Sequence, residues 1–126
     1  MIKIIVLIKR NPKLTKEQFQ AHYEGVHANL ALQYIRPFLL DYRRSYPLSS
    51  FSYFDAVEAP GEVSRQAYDY DCITELWVAD RPAMEAMFAK LSEPATRKTI
   101  AEDEERFLDP KSVVMITCEE HRSSIT

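Results

Sequence analysis

The apolar positions divide the chain into strand-like and helix-like stretches. Ile2–Ile8 is β-branched or leucine at nearly every position, as in a strand with apolar groups on both faces. Asn11-Pro12 breaks that run. Thr15 followed by Gln18 is a capping-box pattern opening a helix, with Leu14 placed to staple against Phe19. Phe19, Tyr23, Val26, His27 and Leu30 share one face of that helix, which is expected to end before Pro37, since the residue ahead of a proline disfavours the helical region. Residues 39–46 alternate as a second strand, with Leu40, Tyr42, Arg44 and Tyr46 on one side and Asp41, Arg43 and Ser45 on the other. In a third strand, Cys72–Val78, Cys72, Thr74, Leu76 and Val78 oppose Ile73, Glu75 and Trp77. Asp80 is an N-cap, Pro82 falls in the first turn, and Met84, Met87, Phe88 and Leu91 follow at i, i+3, i+4 and i+7. Pro94 restarts a helical segment on which Ile100, Asp103, Glu104 and Phe107 share a face, and residues 113–119 form a fourth strand, again apolar on both sides.

The order strand, helix, strand, then strand, helices, strand is the split βαβ plan, so the expected fold is α+β and ferredoxin-like. It is a βαββαβ chain whose four-stranded antiparallel sheet carries helices on one face. Helices so placed cover only that face. The other, also apolar, would be a large exposed patch unless a second subunit covered it, and the expected assembly is a homodimer packed sheet to sheet. Residues 47–70 show no sustained period apart from a possible short strand at 51–54. Their aromatics, Phe51, Tyr53, Phe54, Tyr68 and Tyr70, are too many for a solvated linker and should line a pocket or an interface.

At 126 residues and 14.7 kDa the chain accommodates one domain, taken as residues 1–120 with a polar tail at 121–126. Nineteen acidic against 16 basic residues leave no electrostatic footprint for nucleic acid or an anionic membrane. The apolar start is too short for a signal peptide or a membrane span, which makes a cytoplasmic location the expectation. Cys72 and Cys118 form no metal-type cluster and are expected reduced, and with 2 glycines there is no phosphate-cradling loop, so no nucleotide cofactor is expected. His22 and His27 are five apart, off the i, i+4 spacing of two ligands on one helical face, and His121 is in the tail, so no metal is expected either.

The chemistry that remains is proton transfer. On a helix of 3.6 residues per turn, Phe19, Tyr23 and His27 lie nearly in line, so an imidazole ends an apolar stripe. Histidine's unperturbed pKa of about 6.5 makes a group so placed a candidate proton shuttle, against the plainer reading of a hydrogen-bonded core histidine. Tyr23, one turn earlier, can bond a phenol, enol or lactone oxygen, or be a core tyrosine whose hydroxyl reaches the surface. His22, about 100° around the helix from Tyr23, is expected nearer solvent as a bystander. A carboxylate from Asp103 or Glu104 facing the sheet can orient His27 or relay a second proton, or else pair with Arg97 or Arg106. Cys72 is a possible acid or nucleophile, though buried cysteines are usually apolar fillers. Of Arg43 and Arg44, one guanidinium at most points inward, for a substrate carboxylate or for Asp41 or Glu75. Phe19, Tyr42, Cys72, Trp77 and Phe107 are the candidate substrate-binding residues, for a small hydrophobic or aromatic ligand.

Taken together, the opening strand, the proline turn, the helix pattern FxxxYxxxHAxL (Phe19, Tyr23, His27, Ala28, Leu30), the strand YDCITELWV from Tyr70 and the ending DExxFxD (Asp103, Glu104, Phe107, Asp109) resemble the EthD-like family of the dimeric α+β barrel superfamily. The resemblance covers nearly the whole chain. It implies a dimeric barrel with a small-molecule role, because relatives include a methylmuconolactone methylisomerase, polyketide-tailoring decarboxylases and dehydratases, and a protein encoded with an ether-degrading monooxygenase. Their chemistries differ, so fold transfers more safely than reaction. The leading expectation is a cofactor-independent lyase or isomerase acting on an aromatic, polyketide-like or lactone metabolite, with oxygen activation of a phenol as a lesser variant. The alternative is a non-catalytic dimeric binding or accessory protein that supports an oxygenase in ether or aromatic-compound degradation.

Overall fold

The computed structural model describes residues 1–59, 61 and 68–126. In chain order the elements are β1 (Ile2–Ile8), α1 (Lys16–His22), a π-helical turn (Tyr23–His27), α2 (Ala28–Ile35), a 3₁₀ turn (Arg36–Phe38), β2 (Leu39–Ser45), α3 (Tyr53–Glu58), β3 (Cys72–Val78), α4 (Arg81–Ser92), α5 (Pro94–Phe107) and β4 (Val114–Glu119). The four strands form one antiparallel sheet in the order β2-β3-β1-β4. This is the α+β, ferredoxin-like arrangement that the element order implies. Among the described residues no helix is long and apolar enough to cross a membrane.

Strand sidedness divides the sheet cleanly. Ile4, Val6 and Ile8 of β1 and Cys72, Thr74, Leu76 and Val78 of β3 are buried beneath the helices, where they meet Phe19, Ala28, Ala31, Ile35, Met87 and Phe107 in one core. Ile5 and Leu7, with Ile116 and Val114 opposite them on β4, lie on the other face, together with Ile73. Ile73, Val114 and Ile116 keep 36%, 44% and 42% of their surface exposed, so among the described residues no helix covers this second face. One end of it is polar. Lys3 pairs with Glu75 and lies 3.1 Å from Glu120, the Trp77 indole N–H donates to Glu120 at 2.7 Å, and Lys3 and Arg43 both sit over the Trp77 ring.

Local signals explain the helix starts. The Thr15 side chain accepts from the Gln18 N–H while the Gln18 side chain accepts from Thr15 N–H, and Asp80 caps α4 through the Ala83 N–H. Three local expectations change. The 51–54 segment is not a strand, because the Ser52 side chain caps the Asp55 N–H and starts the short helix α3; Tyr53 and Phe54 on that helix and Phe51 just before it are exposed, while residues 60 and 62–67 of the same excursion lie outside the described residues. In β2 a register shift between Leu39 and Asp41 throws Leu40 outward at 60% exposure, while Tyr42 keeps the helix side. Val26 is also turned out, to 48% exposure, because the helix carrying it is not α-helical there.

Candidate active site

The π-helical turn shapes the site. Between α1 and α2 the Ala28 N–H bonds the Tyr23 carbonyl, five residues back, so each turn holds more residues than an α-helix turn and side chains five apart come to one face. His22 and His27 therefore converge on the same carboxylate. His27 Nδ1 lies 2.8 Å from Asp103 Oδ2, and His22 Nε2 lies 2.9 Å from Asp103 Oδ1. Arg106 reaches Oδ1 from the solvent side at 3.3 Å.

Asp103 is supplied by α5, whose inward face is Thr96, Ile100, Asp103 and Phe107. Its carboxyl is only 2% exposed. Burial pushes such a group up, but the hydrogen bonds from His27 and then His22 outweigh it and hold Asp103 below the ordinary carboxylate value. An ionised carboxylate has no proton to donate, so both imidazoles donate to it: Nδ1–H of His27 and Nε2–H of His22. With Nδ1–H so committed, the unprotonated form of the ring carries its lone pair on Nε2, which takes no hydrogen-bond partner among the described residues. Phe107, one turn beyond Asp103, is the aromatic floor of this arrangement, with ring centroids 4.7 Å from His27, 4.9 Å from His22, 5.5 Å from Tyr23 and 5.6 Å from Phe19.

His27 lines a cavity between sheet and helices with an interior of about 120 Å³. That is near the scale of an apolar cavity of about 150 Å³ that admits one benzene ring. Its walls are aliphatic (Val6, Ile8, Ala31, Ile35, Leu76, Ile100 and others), with Glu104 and Met115 at the margin. Its polar end holds three hydroxyls: Tyr23 bonds Tyr42 at 2.9 Å and Thr74 at 2.8 Å. Burial pushes the Tyr23 phenol well above its usual value and the Tyr42 phenol up to about 12, so both are neutral donors at physiological pH. Arg44 lies over the Tyr42 ring at 4.6 Å and is held by a two-pronged bond to Glu24 at 2.7 and 2.8 Å, with Tyr46 donating to the same carboxylate at 2.6 Å. The hydrogen bonds from Arg44 are the main reason that Glu24 is held below the ordinary value.

The candidates separate by position. His27, Tyr23 and Tyr42 meet at the cavity, and Asp103 stands behind His27. Glu104 lines the cavity but is bonded by Arg97 at 3.0 Å. Phe19 and Phe107 are fully enclosed beneath the site. Cys72 is buried on β3 with its thiol 3.6 Å from the Thr74 hydroxyl, and burial pushes it up to about 11. Trp77 is on the opposite face of the sheet. Arg43 bonds Asp41 on that face, while Arg44 points inward. Two participants escape the sequence reading. Thr74 is one of two strand threonines and carries no mark of its role, and His22, expected as a bystander nearer solvent, is placed by a π turn that α-helical periodicity does not anticipate. Among the described residues no group of three or more His, Cys, Asp or Glu side chains is arranged to hold a metal ion.

A ferredoxin-like sheet and its helices thus enclose an apolar cavity lined by His27, with Asp103 behind it, and by the hydroxyls of Tyr23, Tyr42 and Thr74, in a small α+β protein. The chain belongs to the EthD family: the EthD domain model matches residues 11–111. No curated protein matches it. Among solved structures it is similar to an ethyl tert-butyl ether D (EthD) family protein from Bacillus halodurans C-125, at 20% identity and a TM-score of 0.63, covering 96% of this chain and 99% of that one. It is also similar to HapK from Hahella chejuensis, at 14% identity and a TM-score of 0.60, covering 100% of this chain and 98% of the other. A dimeric ferredoxin-like protein of unknown function from Thermobifida fusca YX aligns at 18% identity and a TM-score of 0.52, over 93% of this chain and 88% of that one. At these identities the similarity is one of fold.

Proposed function

We propose that the protein is a cofactor-independent lyase or isomerase acting on a small aromatic, polyketide-like or lactone metabolite by proton transfer through His27. The observation that carries this reading is the unpartnered Nε2 of His27 at the wall of the apolar cavity, with Nδ1–H committed to a buried, ionised Asp103. Nε2 removes a proton from a carbon or hydroxyl of the substrate, and the imidazolium formed is stabilised through Nδ1–H by the Asp103 charge. The three hydroxyls make two bonds among themselves, and when Thr74 donates to Tyr23 and Tyr23 donates to Tyr42 the Tyr42 proton is left for the ligand. That proton meets the oxygen on which negative charge develops, and Tyr23 polarises it from the middle of the chain. The imidazolium then returns its proton to a different carbon, an isomerisation, or to a departing hydroxyl, a dehydration.

The same reading includes a homodimer formed through the uncovered sheet face. Its support is the exposure of Ile73, Val114 and Ile116 there and the description of the Thermobifida protein as dimeric.

The test follows deuterium incorporation from D₂O into a set of small phenols, 1,3-diketones and five-membered lactones. Exchange catalysed by the wild type and lowered by about 10² to 10⁴ in a folded His27→Ala protein is the expected result. Equal exchange by both proteins removes His27 from the mechanism. Binding of these probes without any exchange would make the protein a carrier or accessory component instead.

A further inference from the structure

We propose that His22 is a positioning residue whose Nε2–H, by occupying Oδ1 of Asp103, reserves Oδ2 for His27 and so fixes which nitrogen of His27 faces the cavity. Asp103 has two oxygens and three donors within reach. His27 approaches Oδ2 alone, whereas His22 at 2.9 Å and Arg106 at 3.3 Å share Oδ1. The two Oδ1 donors differ in kind. The Arg106 side chain is 64% exposed, a long and mobile group that can draw the carboxylate outwards. The His22 side chain is 23% exposed and stacked on Phe107, with centroids 4.9 Å apart and planes 26° from parallel. It is the rigid partner. Without it the bond from His27 to Oδ2 is the one contact from the helix opposite that resists rotation of the carboxylate towards Arg106, and a carboxylate rotated that way commands the Nδ1–H of His27 less firmly.

Geometry alone makes this possible. Residues 22 and 27 reach the two oxygens of one carboxylate because the intervening turn is π-helical; in a regular α-helix they would be 500° apart around the axis, and so well separated on its circumference. The groups facing the pair from the packed elements are Asp103, Arg106 and Phe107 of α5 and, from the π turn itself, Tyr23.

The proposal rests on the reading of His27 as the base, but its readout is the His27 ring and requires no substrate. Nitrogen-15 NMR of the ring, recorded at alkaline pH where free imidazole is neutral, reports the tautomer directly. In the wild type, Nε2 of His27 should give the signal of an unprotonated nitrogen and Nδ1 that of a protonated one. His22→Phe keeps the stacking on Phe107 and loses the donor, so both signals should move towards the midpoint of mixed tautomers. His22→Gln places an amide N–H near the position of Nε2 and should restore the wild-type pattern, whereas His22→Asn, whose shorter amide mimics Nδ1, should not. An unchanged His27 spectrum in His22→Phe overturns the proposal. So does loss of the pattern in His22→Gln to the same degree as in His22→Phe, which would mean that the imidazole itself and not its N–H is required. Failure of the deuterium-exchange test with this NMR pattern intact would refute the catalytic reading and leave the positioning role standing.

Discussion

Asp103 is the residue on which the site turns, because a buried carboxylate in contact with two imidazoles is stable only as long as it accepts from both. Replacing it with Asn substitutes an NH₂ for one oxygen, so one of the two ring N–H groups faces another donor. Asp103→Asn should therefore destabilise the fold at pH 7 by roughly 1–3 kcal/mol, the usual cost of an unsatisfied buried polar group. The pH dependence has a definite sign. Asp103 is held below its ordinary value in the folded protein, so its contribution is complete above the unfolded pKa of about 3.9 and disappears as the pH falls through the lower, folded one. Urea unfolding of the two proteins should accordingly diverge at pH 7 and converge in strong acid. A stability difference equal at both pH values would show that the loss is one of packing and not of charge-assisted bonding.

At the scale of the element, the first helix shows what a sequence pattern can and cannot carry. Its start is legible in Thr15 and Gln18, and so is the buried line of Phe19, Tyr23 and His27, because each depends on residue type and short-range spacing. The contact of His22 with Asp103 is not legible, since it depends on the hydrogen-bond register of a single turn, and the outward position of Val26 is hidden for the same reason. That register is held by tertiary partners: Asp103 on one side of the turn, and the Glu24–Arg44 and Glu24–Tyr46 bonds on the other. Gly25 between them is not there for backbone freedom. It is solvent-exposed, no residue among those described has a positive φ, and a Cβ at this position meets nothing within 4 Å. Gly25→Ala should therefore stabilise the protein by about 0.5–1 kcal/mol, the usual difference between the two residues in a helix, and raise the melting temperature by a few degrees. A drop in melting temperature would mean that the π turn needs glycine after all.

For the molecule as a whole, the two faces of the sheet differ in what they leave undone. The helix-side face is covered by its own helices except at the His27 cavity, whereas Ile5, Leu7, Ile73, Val114 and Ile116 form an apolar strip on the other, beside the polar cluster of Lys3, Glu75, Trp77 and Glu120. The strip was visible in the sequence as strands apolar on both sides. The polar cluster was not, because Lys3 and Glu75 read as ordinary strand charges until the strands are paired and brought beside Trp77 and Glu120. The proposed homodimer buries the strip, and taking an isoleucine fully out of water contributes about 1.5–3 kcal/mol. A handful of such side chains from each subunit is of the same order as the roughly 4–15 kcal/mol lost in freedom on association, so the dimer should depend strongly on each of them. Ile116 gives the cleanest test. It is 42% exposed on an edge strand, and its side chain is on the face of the sheet opposite the His27 cavity, so a lysine at this position enters neither the core nor the cavity. Sedimentation of the wild type at micromolar concentration should show a dimer, and Ile116→Lys should shift it to monomer or aggregate while the same charge at exposed Val57 on α3 leaves it dimeric. A wild-type protein that sediments as a stable, folded monomer would remove the homodimer from the account of this sheet.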